Sequence, residues 1–176
     1  MFPQDSDDDF TRFGSSETTA PKKLKPQKSL RARAMDILSR QEISRAGLKR
    51  KLAPYAESEA EVEKVLDEFA ERNWQSDERY AEAYIHSRSH RQGSLRLKQA
   101  LAQQGIGEDI SAAFLPNRDS ERESSREVLR KKFKQPAADV KDKQKQIRFL
   151  AYRGFSMDTI QHAMKTAWSD DEGEWD

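Results

Sequence analysis

Leu101-Ala-Gln-Gln-Gly105-Ile-Gly107 and Leu150-Ala-Tyr-Arg-Gly154-Phe-Ser156 share a leucine, an alanine, a glycine and the apolar residue after it, and they stand 49 residues apart. Glycine just past a run of helix formers marks a helix end, because without a Cβ it enters the left-handed region at no steric cost. Each string therefore predicts a helix terminus followed by a turn. Another 49 residues upstream lies Leu52-Ala53, ahead of Pro54, and beyond it Val62, Val65 and Leu66 match Ile160, Ala163 and Met164. The chain reads as three tandem units over residues 29–74, 76–116 and 119–168. Each is expected to hold a long first helix, a second ending at Leu-Ala and a third with an apolar stripe. The predicted fold class is all-α: three tandem three-helix modules forming an elongated, curved helical-repeat array.

Local signals agree with helices throughout. Apolar residues recur at helical spacing in Leu30, Ala34, Ile37 and Leu38, in Leu48 and Leu52, and in Val62, Val65, Leu66 and Phe69, while period-two strands are absent. Ser58 to Glu61 and Ser120 to Glu123 read as capping boxes. Ser44 and Ser156 read as N-caps whose flanking pairs, Ile43 with Leu48 and Phe155 with Ile160, form hydrophobic staples.

Composition narrows the function. The 176 residues are 36% charged and contain no cysteine, which excludes disulfides, thiolate nucleophiles and cysteine-based zinc sites. No apolar run approaches the roughly 18 residues that cross a bilayer, and no apolar segment follows a basic start, so a soluble cytoplasmic protein is expected. Neither G-x-x-x-x-G-K nor G-x-G-x-x-G occurs.

The near balance of 32 basic and 31 acidic residues hides a segregation of charge. Residues 1–28 hold five of each, interrupted by Pro3, Pro21 and Pro26, and are expected to form a disordered extension. Residues 169–176 hold five acidic groups and no basic one, and are expected to be a disordered tail. Removing both ends leaves 27 basic and 21 acidic groups, a surplus of six. Residues 126–153 alone carry ten basic groups against three acidic ones, a density that points to a polyanion or an acidic protein surface as partner. For any single lysine or arginine the plainer account is a solvated helix face.

Three stretches carry a resemblance. Ser76-Asp-Glu-Arg79-Tyr80-Ala81-Glu-Ala-Tyr84-Ile85-His-Ser-Arg88 runs into Gly93-Ser-Leu-Arg96-Leu97-Lys98-Gln-Ala-Leu101-Ala-Gln-Gln-Gly105-Ile106, and the third unit adds Lys131-Lys132-Phe133 and Arg148-Phe149-Leu150-Ala151-Tyr152-Arg153-Gly154-Phe155-Ser156. The combination resembles the RecX family of bacterial recombination regulators, whose second repeat follows G-x-x-R-I-x-x-E-L-x-x-K-G-I. Gln99-Ala100 and Gln104 depart from that pattern. The resemblance covers residues 29–168 and implies tandem three-helix modules without enzymatic activity. It also implies a protein that lodges in the groove of the RecA filament on single-stranded DNA, modulating and mainly inhibiting its ATPase, recombinase and coprotease activities; an elongated monomer is expected. Direct contact with single- or double-stranded DNA belongs to the same expectation.

The candidate binding residues are Arg79, Arg88, Arg91, Arg96 and Lys98 in the second unit, and Arg130, Lys131, Lys132, Arg148 and Arg153 in the third. Arg79, one turn from a helix start, suits an acid between modules or on the partner. Arg88, Arg91, Arg96 and Lys98 encircle the turn at Gly93. Tyr80, Tyr84 and Ile85 share a helical face and read as core, and of Phe149 and Tyr152 one is expected in the core and the other exposed. His86 and His90 have the i, i+4 spacing of a metal pair but no further ligand at suitable spacing, so a solvated pair is expected, with neither metal nor cofactor. No nucleophile, base and orienting group can be named, so no catalytic residue is assigned. Two readings stand: a RecA-filament regulator, and a stand-alone nucleic-acid-binding module that reads phosphates. In either, the acidic tail can compete with anionic partners for the basic face.

Overall fold

A computed structural model describes residues 28–169. The tail expected at 169–176 and the extension at 1–28 therefore lie almost wholly outside the described residues. Among those described the fold is all-α, nine α-helices and no strand.

Three helices build each of three cores. α1 (Leu30–Leu38), α2 (Arg45–Leu52) and α3 (Glu59–Glu71) enclose Leu48, Leu52, Val62, Leu66 and Phe69, with Trp74 edge-on to Phe69 at 5.1 Å. α4 (Asp77–Arg88), α5 (Ser94–Gln103) and α6 (Glu108–Phe114) enclose Ala81, Ile85, Leu97, Leu101 and Ile106, and Tyr80 and Tyr84 pack against this core half-buried. α7 (Arg118–Phe133), α8 (Val140–Tyr152) and α9 (Met157–Thr166) enclose Leu129, Leu150, Phe155, Ile160 and Ala163. Phe149 packs against that third core, whereas Tyr152 is 74% exposed.

The helix starts follow from short polar side chains that accept otherwise unpaired backbone N–H groups. Ser44, Ser58, Ser76 and Ser156 accept from Gly47, Glu61, Arg79 and Thr159. Ile43 with Leu48, and Phe155 with Ile160, lie in the cores as the staples require. Gly105 (φ 77°) and Gly154 (φ 85°) adopt the left-handed conformation after α5 and α8.

Three local expectations are corrected. Ser120 does not cap a helix: Asn117 does, its side chain accepting from Ser120 N–H at 2.9 Å, because asparagine is as strong a cap as serine and is the first residue past Pro116. In the Ser58 box, Glu61 turns back to the Glu57 N–H at 3.1 Å rather than to the cap itself. α1 is only nine residues long, against 12 in α4 and 16 in α7, because Ser39-Arg40-Gln41-Glu42 offers the core no apolar residue before Ile43.

Candidate partner-binding surface at the module joints

The modules meet through one joint used twice. At the first, the Ser44 hydroxyl at the start of α2 donates to the Gln104 carbonyl at the end of α5 at 2.8 Å. At the second, Gly93 N–H at the start of α5 donates to the Arg153 carbonyl at the end of α8 at 3.0 Å, and Leu95 N–H donates to Gly154 O at 3.1 Å. Ser44 and Gly93, and Gln104 and Arg153, are each 49 residues apart. A carboxylate from the next module's first helix completes each joint: Asp77 accepts from Arg45 N–H at 2.7 Å, and Glu121 from Ser94 N–H at 2.7 Å. Both meet the positive end of a helix dipole, where a negative charge is stabilising.

The second joint gathers the cations. His90 and Arg91 from the second module and Lys131, Lys132, Phe149 and Arg153 from the third line a groove of about 290 Å³, with Glu127 its one carboxylate. Arg153 is fixed there because its guanidinium donates to the Arg91 carbonyl at 3.2 Å and lies over the Phe149 ring at 5.0 Å. A second groove at this joint, about 640 Å³, is lined by Tyr84, Leu95, Gln99, Gln103 and Tyr152. Arg96 borders it, donating to the Tyr152 carbonyl at 2.8 Å with its guanidinium over that ring at 5.0 Å, and Arg88 lies over Tyr84 at 4.0 Å. Amides, an exposed ring in Tyr152 and a half-buried one in Tyr84 suit a protein surface more than a phosphate backbone.

The remaining candidates are dispersed. Arg79 is consumed inside the fold: its guanidinium donates to Glu42 at 2.9 Å, Asn73 at 2.8 Å and the Trp74 carbonyl at 3.1 Å, tying α4 to the first module. Lys98 pairs with Glu108 at 3.2 Å and Arg130 with Glu123 at 3.4 Å, and the exposed Arg148 donates to the Gln144 carbonyl one turn earlier at 3.4 Å. His86 and His90 are exposed, and among the described residues no three His, Asp or Glu side chains converge as a metal set would. No described helix is long and apolar enough to cross a membrane. The sequence reading missed the groove's neutral floor of Val128 and Phe149, and it missed the Gly93–Gly154 contact, for which the 49-residue spacing of Ser44 and Gly93 is the signal.

Residues 76–115 match the second three-helix domain of RecX, and residues 119–164 the third. A regulatory protein RecX of Neisseria meningitidis serogroup C is 73% identical over 147 residues, covering 84% of this chain and 96% of that protein. The chain belongs to the RecX family. The same name is carried by a Chromobacterium violaceum protein 44% identical over 144 residues, covering 82% of this chain and 94% of the relative. Two solved RecX structures share the fold: one from Lactobacillus salivarius (TM-score 0.67, 21% identity, covering 77% of this chain and 92% of the other) and a second (TM-score 0.68, 24% identity, covering 77% and 71%). The joint grooves are thus surfaces of a RecX fold, in a family of regulatory proteins.

Proposed function

We propose that this protein regulates the RecA recombinase in the cytoplasm by binding its filament on single-stranded DNA as a non-enzymatic monomer, mainly inhibiting ATP hydrolysis, strand exchange and coprotease activity. The observation that carries the reading is the second joint, where the second and third modules together build both a cationic groove and an amide-and-aromatic groove. A filament presents two partner chemistries at once, phosphates and protein side chains. Arg91, Lys131, Lys132 and Arg153 meet the anionic component, and Tyr84, Leu95, Gln99 and Tyr152 the protein surface. Arg88 and Arg96 orient the rings between them. Arg79, Lys98, Arg130 and Arg148 contribute to the field more than to contacts.

The test is single-stranded-DNA-dependent ATP hydrolysis by RecA with substoichiometric protein, beside an Arg91→Ala, Lys131→Ala, Lys132→Ala triple variant. Inhibition by the wild type, lost in a variant with unchanged helicity and melting temperature, is expected. Equal inhibition by both overturns the placement, and no inhibition by the wild type overturns the reading. A second reading, nucleic-acid binding without RecA, is favoured by a separate group of cations on the first module.

A further inference from the structure

The first module carries a cationic groove of its own. α1 and the end of α2 with the following turn face each other across about 640 Å³, walled by Lys28, Arg33, Asp36, Arg40, Lys51 and Tyr55. The one carboxylate is already engaged, since Asp36 accepts from the Lys28 ammonium. Arg40 and Lys51 take part in none of the ion pairs among the described residues. Tyr55 is 58% exposed, and the Arg33 guanidinium lies over its ring at 3.8 Å. The Arg33 Nε donates to the Lys28 carbonyl at 3.2 Å, which holds the guanidinium in place.

A flat aromatic surface beside cations that have no ion pair among the described residues matches the two features that every nucleotide repeats, a base with a π-face and a phosphate. In a duplex the interior bases are stacked on both sides, so such a platform selects single strands. An acidic peptide would satisfy the cations but would make no use of the exposed ring.

We propose that this groove binds single-stranded nucleic acid, with a base stacked on the Arg33–Tyr55 pair and adjacent phosphates neutralised by Arg40 and Lys51. The site rests on the nucleic-acid part of the reading above and lies on a different module from the grooves assigned there. Neither matched three-helix domain includes these residues.

The experiment uses the full chain and two labelled oligonucleotides of equal length, oligo(dT) and an abasic strand, followed by fluorescence anisotropy. Stacking one base is worth enough that Tyr55→Ala should weaken oligo(dT) binding about tenfold while leaving the abasic strand unaffected. Tyr55→Phe should bind as the wild type does. Arg40→Ala with Lys51→Ala should weaken both strands alike and flatten the salt dependence by about 1.4 units of log K per decade, two contacts at about 0.7 each. Melting temperatures identify any variant that fails to fold, and the Phe variant then carries the comparison, because a phenol needed for its hydroxyl would fail there. Equal loss on both strands with Tyr55→Ala, no loss on either, or displacement of oligo(dT) by polyglutamate as readily as by unlabelled oligo(dT) overturns the site. Inhibition of RecA ATP hydrolysis is scored in parallel, so failure of this site with inhibition retained leaves the filament reading standing.

Discussion

Gly93 and Gly154 meet backbone to backbone: a Cβ on Gly93 would stand 2.3 Å from the Gly154 carbonyl oxygen, and one on Gly154 would stand 2.3 Å from Arg96 Cβ. No side chain can occupy either position while the second and third modules keep their N–H to carbonyl bonds. The two modules are therefore set at a separation that brings Arg91 beside Arg153.

Gly93→Ala and Gly154→Ala should each open this joint. Gly154 adds the cost of a left-handed backbone at φ 85°, so its substitution should cost about 1–3 kcal/mol or more, read as a lower melting temperature. Gly107→Ala is the control, because its Cβ would meet only the movable Asp109 carboxylate and its φ of −65° suits alanine. A melting temperature equal to the wild type's for Gly93→Ala would refute the contact.

Asp77→Ala should loosen the first joint. The Asp77 carboxylate accepts from Arg45 N–H at 2.7 Å and from the Gln75 side-chain amide at 2.8 Å, and the latter also donates to the Ile43 carbonyl at 3.2 Å. Losing a carboxylate at a helix start costs about 1–2 kcal/mol. Small-angle scattering should show a larger radius of gyration, and Glu121→Ala should do the same at the second joint.

Acid should weaken the first module. The Lys49 ammonium and then the Arg45 guanidinium hold the Glu63 carboxyl below the usual carboxylate range, and at 2.7 Å each they bridge α2 to α3. A carboxyl with a depressed folded-state pKa contributes stability above its unfolded value, near 4.3, and loses it as pH falls through the folded value. The melting temperature should therefore drop as pH falls below about 4.3, and Glu63→Gln should flatten that drop. Identical pH profiles for the two proteins would contradict the assignment.

Leu101→Ala should unfold the second module before the others. Leu101 is fully buried, and the cavity left by such a substitution costs about 2–5 kcal/mol. Hydrogen exchange should accelerate in residues 77–114 and less in residues 30–71. Uniform acceleration would mean that the three cores unfold as one.

Deleting residues 169–176 should raise affinity for anionic partners. The segment carries five acidic groups and no basic one, against a surplus of six positive charges in residues 29–168. Tighter binding to oligo(dT) at low salt, converging with the wild type at high salt, is expected. Superimposable salt titrations would dismiss a role for the tail.

Much of the candidate surface was legible as composition and little of it as geometry. The excess of cations in residues 126–153 is visible by counting, yet neighbours in sequence separate in space. Lys131 and Lys132 line the groove, while Arg130 turns to Glu123. Arg79 reads as suited to an acid between modules or on the partner, and only the fold identifies that acid as Glu42, 37 residues earlier, at its Nε. The first-module groove went unnoticed because Arg33, Arg40, Lys51 and Tyr55 belong to no dense run of charge.

The sequence by itself determined the nine helices among the described residues and their three cores, because caps and C′ glycines act within a turn of the helix they serve and apolar periodicity over three to five residues marks which face is buried. The 49-residue recurrence of Leu-Ala carried that local information to the scale of the repeat. Tertiary structure alone decided which cations face one another. The pairings of Gly93 with Arg153, Ser44 with Gln104 and Arg79 with Glu42 span 37 to 60 residues, and they depend on how one packed module settles on the next.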